Sequence, residues 1–414
     1  MKQPFHLQTR FLALKARFTQ LREQYEVQLR TGQFGRLNPW KQKGILRRLE
    51  KYRRQLEQLW YFLKKSFGKG TVATGLALGA LTFTSCGDDD EPGTTRIPLT
   101  SINLAAQTGA SNPFNGLNTG YTAAPAFVDI DNDGDLDVFV GNLYGTILFF
   151  RNTGSASSPT FTAVTGAGNP FNGVDVGNNS TPAFADIDGD GDQDAFVGED
   201  YPGRLVFFRN TGSATAPVFT EQTGANNPLD GVGTIANGFT TYASPAFADL
   251  DGDGDQDLLL GQFSGTYGVG VSYTSARTIR YFRNSGGTFT EQTGTANPFN
   301  GLEFGSSYTG PSPALVDIDK DGDLDAFVGQ ANFTPSGVSG TFEATVRFFE
   351  NTGSVTNPVM TERTGTSNPA RNISLDDTRP YIKPAFADLD NDGDEDLFVG
   401  IYDASPSILY YRNQ

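Results

Sequence analysis

The chain has 414 residues, with 31 Lys+Arg against 47 Asp+Glu, a formal net charge of −16. The charge is split: residues 1–70 hold 17 basic and 4 acidic residues, a net +13, and residues 71–414 hold 14 basic and 43 acidic residues, a net −29. One Cys (Cys86) and one His (His6) exclude an intrachain disulfide, a cysteine zinc cluster and, in the acidic body, a His-activated nucleophile, and the body's charge repels nucleic acid.

The basic head carries helical periodicity. Leu7, Phe11, Leu14, Phe18, Leu21 and Tyr25 are spaced 4-3-4-3-4, and Ile45, Leu49, Tyr52, Leu56, Leu59 and Leu63 repeat that spacing. Asn38 can cap the second run, with Pro39 at its first position. Thr31 to Gly35 reads as the turn between them, so residues 1–70 are expected to form a basic α-helical hairpin. Two origins stay open. Either translation begins near Leu63, or the head is real and stays on the cytoplasmic side of a membrane, as positive charge before an apolar segment favours.

Residues 71–85 are uncharged and too short for a comfortable transmembrane helix, which needs about 20 residues. They suit the apolar region of a secretory signal, with Lys64, Lys65 and Lys69 as the positive flank. Thr84-Ser85-Cys86 looks like the end of a bacterial lipoprotein signal, although Phe83 stands where Leu is usual. That resemblance implies that Cys86 is lipidated and becomes the mature N-terminus. The run Gly87-Asp88-Asp89-Asp90-Glu91 resembles the surface-export signal of lipoproteins in the Bacteroidetes group. Residues 87–98 are then an acidic flexible tether, and the expected location is the outer face of a bacterial outer membrane.

Residues 99–414 are five copies of one module. PAFVDIDNDGDLDVFVG at 125–141 recurs at 182–198, 245–261, 313–329 and 384–400 with few changes. The first Asp of each run falls at 129, 186, 249, 317 and 388; the longer intervals carry Gly/Ser/Thr-rich insertions around 264–276 and 331–343. An apolar strand follows each run and ends in a turn such as Arg151-Asn152-Thr153-Gly154, with Glu350-Asn351-Thr352-Gly353 as the fourth copy. Another strand and a TGxxNP loop complete the unit. Four short strands per module predict an all-β, five-bladed β-propeller. The last module lacks a fourth strand, and Leu99 to Gln107 supplies a spare one before the first, so pairing them closes the ring and removes a sheet edge.

Each acidic run places Asp at positions 1, 3, 5, 7 and 9, with Gly at position 6. The first holds Asp129, Asp131, Asp133, Asp135 and Asp137; the second Asp186, Asp188, Asp190, Asp192 and Asp194. The third holds Asp249, Asp251, Asp253, Asp255 and Asp257; the fourth Asp317, Asp319, Asp321, Asp323 and Asp325; the fifth Asp388, Asp390, Asp392, Asp394 and Asp396. So many carboxylates in nine residues repel one another unless a cation sits among them, and calcium, which takes six to eight oxygens, suits such a loop better than magnesium. Position 12 is Val140, not the bidentate Glu of an EF-hand, and Ile130 is expected to point into the blade.

The repeated PAF…DxDxDGDxD…FVG string resembles the FG-GAP or VCBS repeats of integrin α-subunit propellers and of many bacterial surface proteins. The resemblance implies five calcium ions, held by side chains at positions 1, 3, 5 and 9 and by the backbone carbonyl at position 7. The integrin ring has seven blades, so its ligand face does not carry over.

A binding protein is the expected function: a calcium-stiffened scaffold displaying loops to an extracellular glycan or protein, with no enzymatic activity. The alternatives are a polysaccharide lyase or hydrolase, or a structural subunit of a surface assembly. The recurring NPFNG segments (112–116, 169–173, 297–301, and NPLDG at 227–231) read either as sugar-binding loops or, preferably, as linkers with Phe tucked into the packing.

Overall fold

The computed structural model describes residues 96–414 except 234–237, 268–272, 307–308, 337–338, 374, 376–380 and 404–406. The expected helical hairpin of residues 1–70, the apolar segment ending at Cys86 and the tether up to residue 95 lie outside the described residues. No helix among the described residues is long and apolar enough to cross a membrane.

Five four-stranded antiparallel sheets follow one another, as the five modules predict. The first blade is β2 (Ala124–Val128), β3 (Asp137–Gly141), β4 (Ile147–Asn152) and β5 (Phe161–Val164). The second is β6 (Thr181–Ala185), β7 (Asp194–Gly198), β8 (Leu205–Asn210) and β9 (Phe219–Gln222). The third is β10 (Gly238–Ala248), β11 (Asp257–Tyr267), β12 (Tyr273–Ser285) and β13 (Thr288–Gln292). The fourth is β14 (Ser312–Val316), β15 (Asp325–Ser336), β16 (Ser339–Asn351) and β17 (Met360–Arg363). The fifth is β18 (Lys383–Ala387), β19 (Asp396–Gly400) and β20 (Ile408–Asn413), completed by β1 (Leu104–Gln107) from the other end of the chain. β1 pairs antiparallel with β20, with Leu104 opposite Asn413 and Gln107 opposite Tyr410.

The innermost strands close the ring: β2 lies beside β6, β6 beside β10, β10 beside β14, β14 beside β18, and β18 beside β2. The spare strand is shorter than Leu99–Gln107. Leu99–Ser101 forms a 3-10 turn instead, because Pro98 cannot donate to a ladder and Ser101 N–H closes back on its carbonyl (2.8 Å). The described residues of the insertions lengthen β11–β12 and β15–β16 into hairpins that outreach the other blades.

The repeat string now has a physical reason at each apolar position. β3 and its equivalents are buried on both faces, since each blade is covered by the next, so they read as continuous apolar runs rather than alternating ones. The cores therefore lie between blades. Phe114, Val138 and Phe150 pack with Phe398, Ile408 and Tyr410 across the closure. The Gly ending each FVG permits that packing. A Cβ on Gly141, Gly198, Gly261, Gly329 or Gly400 would strike the carbonyl oxygen of Ser180, Ala243, Pro311, Ile382 or Ala123, each on the neighbouring blade.

The NPFNG segments are linkers. Asn112 Nδ2 donates to the Ile408 carbonyl (3.0 Å) while its Oδ1 accepts from Phe114 N–H (2.9 Å). Asn169 and Asn297 repeat both bonds, and Phe114, Phe171, Leu229 and Phe299 are buried. Both side chains that a sugar would need are committed to joining one blade to the next. In the last copy Asn368 keeps its turn bond to Ala370 N–H (2.8 Å), with Ala370 buried where Phe stands elsewhere.

Candidate metal centres

Each acidic run joins the first strand of a blade to the second, so all five loops lie on one face of the ring. Apolar residues fasten them: Ile130, Ile187, Leu250, Ile318 and Leu389, at position 2, are all buried between blades. The backbone then turns through two left-handed residues. Position 6 is always Gly, with φ between 92° and 98°. Position 4 is also left-handed, at Asn132, Gly189, Gly252, Lys320 and Asn391. Sequence reasoning missed that second turn point, although Asn or Gly in four of five copies was its signal.

Position 1 holds the loop by accepting backbone N–H groups: Asp129 from Asp133 and Gly134 (both 3.1 Å), with Asp186 and Asp388 in the same role. Positions 1, 3 and 5 converge in every copy. One carboxylate oxygen from each of Asp129, Asp131 and Asp133 lies within 4.8 Å of the other two, and the same holds for Asp186/Asp188/Asp190, Asp249/Asp251/Asp253, Asp317/Asp319/Asp321 and Asp388/Asp390/Asp392.

Position 9 clamps the blade. Asp137, Asp194, Asp257, Asp325 and Asp396 each accept, through Oδ1, the backbone N–H of the turn Asn at the end of the third strand (2.7–2.8 Å). Their second oxygens differ. In the third and fifth blades a tyrosine hydroxyl donates to Oδ2, Tyr281 to Asp257 and Tyr410 to Asp396 (both 2.9 Å). In the first and fourth blades Phe149 and Phe348 replace those tyrosines in the repeat, and Oδ2 of Asp137 and of Asp325 is buried with no partner. Position 7 side chains differ among the loops: Asp255 accepts from Gly286 N–H (2.9 Å), Asp394 meets the Lys320 ammonium of the neighbouring loop (2.5 Å), and Asp323 Oδ1 is buried with no partner.

Buried carboxylate oxygens without a hydrogen bond recur in four loops, among them Asp131 Oδ1, Asp249 Oδ1, Asp317 Oδ1, Asp319 Oδ1 and Asp390 Oδ1. Such atoms are costly unless a cation or donor meets them. Hard oxygens, several per loop, converging and undersatisfied, fit calcium. Burial pushes the position 9 carboxyls up, to about 7 in Asp137, Asp194, Asp257 and Asp396 and about 8 in Asp325, against the turn Asn N–H and with the neighbouring Asp charges adding to the rise. These pKa values lie above those of an unfolded chain, so in metal-free protein the groups oppose folding at high pH. The opposition fades as pH falls through 8 to 6 and is gone below about 4. In chelator the protein should therefore melt higher at about pH 6 than at about pH 8.5, while saturating calcium removes or reverses that order. Thermal melts across this range check it, and a metal-free protein most stable at the alkaline end would contradict it.

An arginine near the end of the third strand pairs with each loop but one. Arg151 meets Asp131 (3.4 Å), Arg209 Asp188 (2.7 Å), Arg283 Asp251 (2.5 Å) and Arg412 Asp390 (2.5 Å). The fourth blade has Glu350 at that place, and Arg96 fills the gap from outside the module. Its guanidinium bonds Asp319 (3.0 Å) and Glu350, and Ile97 N–H donates to the Asp319 carbonyl (2.6 Å). The chain thus joins the ring on the acidic-loop face. Sequence reasoning passed over Arg96; its signal was Glu350, an acid where the other four modules carry Arg. Arg96→Ala should cost about 1–2 kcal/mol in chelator, since Asp319 is fully buried while Arg96 is half exposed. The loss should shrink when calcium is added; an equal loss in both conditions would argue against a shared site.

The FG-GAP-like repeat family model matches residues 129–197 and 186–260, so the chain carries FG-GAP-like repeats there. No curated protein sequence matches the chain. Among solved structures it is similar to an Agrocybe aegerita lectin described as recognising non-reducing terminal N-acetylglucosamine, at 16% identity over 76% of this chain and 86% of that one, with a TM-score of 0.35. It is also similar to a mutant Aleuria aurantia lectin in complex with alpha-methyl-L-fucoside, at 16% identity over 71% and 94%, TM-score 0.34. Neither likeness carries weight for the ligand of this chain.

Proposed function

We propose that the chain is a calcium-bound recognition module, held at the outer face of a bacterial outer membrane by a lipid on Cys86 and directed at an extracellular glycan or protein. The observation that carries this reading is the fivefold acidic loop with its undersatisfied buried oxygens. Side chains at positions 1, 3 and 5, with Oδ2 of position 9 and the carbonyl of position 7, would hold one ion per loop. The ion would tie the first strand of a blade to its second and, through position 9, to the end of its third. A module stiffened on one face leaves the opposite loops as rigidly mounted recognition elements. The role is binding; no catalysis and no nucleic acid partner are assigned.

The test is joint. Cells given an alkyne-tagged fatty acid should label the protein, and Cys86→Ser should abolish the label and release the protein from membranes. Surface protease should cut the wild type faster after calcium is chelated. An unlabelled wild type defeats the anchor, and protease resistance indifferent to calcium defeats the stiffened module.

A further inference from the structure

The two faces of the ring differ in chemistry. Three aromatic side chains are exposed among the described residues, Tyr121, Tyr144 and Tyr201 at 37%, 62% and 69%, and all three precede a first strand or follow a second strand. They therefore stand on the face opposite the acidic loops. On that face four tyrosines from three blades follow one another in tilted ring contacts. Tyr121 lies 5.3 Å from Tyr402, Tyr402 5.8 Å from Tyr381, and Tyr381 5.7 Å from Tyr242, with a hydroxyl-to-hydroxyl bond of 3.1 Å in the last pair.

Lys383 lies beneath them at the start of β18. It is one of two lysines in residues 71–414, and the other serves the acidic loops. Its ammonium donates to Ser244 Oγ (3.1 Å), which in turn bonds Ser312 Oγ (2.6 Å), so three blades meet there. Its other two N–H donors have no acceptor among the described residues. Burial pushes the ammonium down to about 8, against the charge of Asp200. Asp200 accepts from Asn179 Nδ2 (3.1 Å) and the Tyr242 hydroxyl, and makes no direct ion pair with Lys383 among the described contacts. A charge on the axis does nothing for the blade cores and is unfavourable there without partners.

We infer that this axial cluster is a binding site for the end of a neutral sugar chain. A pyranose ring offers an apolar face to a tyrosine ring and hydroxyls that both donate and accept. Lys383 meets acceptors, Asp200 meets donors, and Tyr121, the exposed ring of the four, offers an apolar face. One lysine balanced by one aspartate in a body of net −29 gives an anionic sugar no field to follow. The inference rests on the recognition reading and gives it a place and a ligand class.

The experiment uses the full chain in calcium on an array of neutral oligosaccharides (glucan, mannan, galactan and chitin fragments) with uronate-bearing oligosaccharides beside them. Wild type should retain a neutral set. Tyr121→Ala, an exposed change that spares the fold, and Lys383→Gln should each weaken retention roughly tenfold or more with the calcium-bound melting temperature unchanged. Retention untouched by both variants overturns the axial site and leaves the recognition reading standing. Retention of uronates alone overturns the ligand class. If no sugar is retained, the site is overturned, and the recognition reading then stands or falls on protein ligands.

Discussion

Removing calcium should lower the melting temperature of this protein by roughly 10 °C. A ligand that binds only the folded state stabilises it by RT ln(1 + [L]/Kd), about 1.4 kcal/mol for one site at tenfold excess over Kd. Five sites bring this to about 7 kcal/mol, which rivals the whole stability of many domains. The acidic loops give the chelated state a second penalty. Without a cation, Asp131, Asp317 and Asp319 keep buried oxygens that nothing meets. Burial also raises the carboxyls of Asp249 and Asp317 to about 6, so at neutral pH they are held ionised where ionisation is unfavourable. Differential scanning calorimetry with and without a chelator reads the effect. The single change Asp321→Ala should remove one site and about a fifth of the calcium-linked gain. Loss of the whole gain from that one change would mean that the loops are not independent.

Gly400→Ala should destabilise the protein by about 3 kcal/mol, although it adds one methyl group. Its Cβ would strike the Ala123 carbonyl of the first blade and come 2.9 Å from Pro125 Cδ. Backbone cannot rotate away as a side chain can, so the two blades must part and their shared core must loosen. The equivalent change at Gly261, against Pro311 of the next blade, has the same cause and should have a similar cost. The pair forms a test of closure. Gly261 lies inside the chain's run of modules, while Gly400 matters only if the fifth blade packs on the first. A neutral Gly400→Ala beside a damaging Gly261→Ala would mean an open array.

The repeat string makes the fold legible in the sequence. Alternating Asp, flanking apolar runs and a spare strand before the first module were enough for blade number, strand number and closure. The glycine of FVG was visible too, but its purpose was not: a contact between blades has no local signature in either partner. The insertions at 264–276 and 331–343, rich in Gly, Ser and Thr, carried no strand signal of their own, and it is pairing with a facing strand that makes β11–β12 and β15–β16 longer. Within the acidic loops, spacing marked the residues that converge at positions 1, 3 and 5. The two fates of position 9 depend on a Phe or Tyr from the third strand, at Phe149 and Tyr281. Arg96 and the axial tyrosines were out of reach for another reason. Arg96 and Glu350 are separated by 254 positions, and Tyr242 and Tyr381 by 139, so only the closed ring brings them together.

The proposed function requires one calcium ion in each of the five blades. Native mass spectrometry of the purified protein, titrated with calcium after chelation, counts the ions directly. The expected result is a series of bound states ending at five per chain and falling to four in Asp321→Ala. A series that ends at none or one, or a wild type and variant with the same final count, would contradict it.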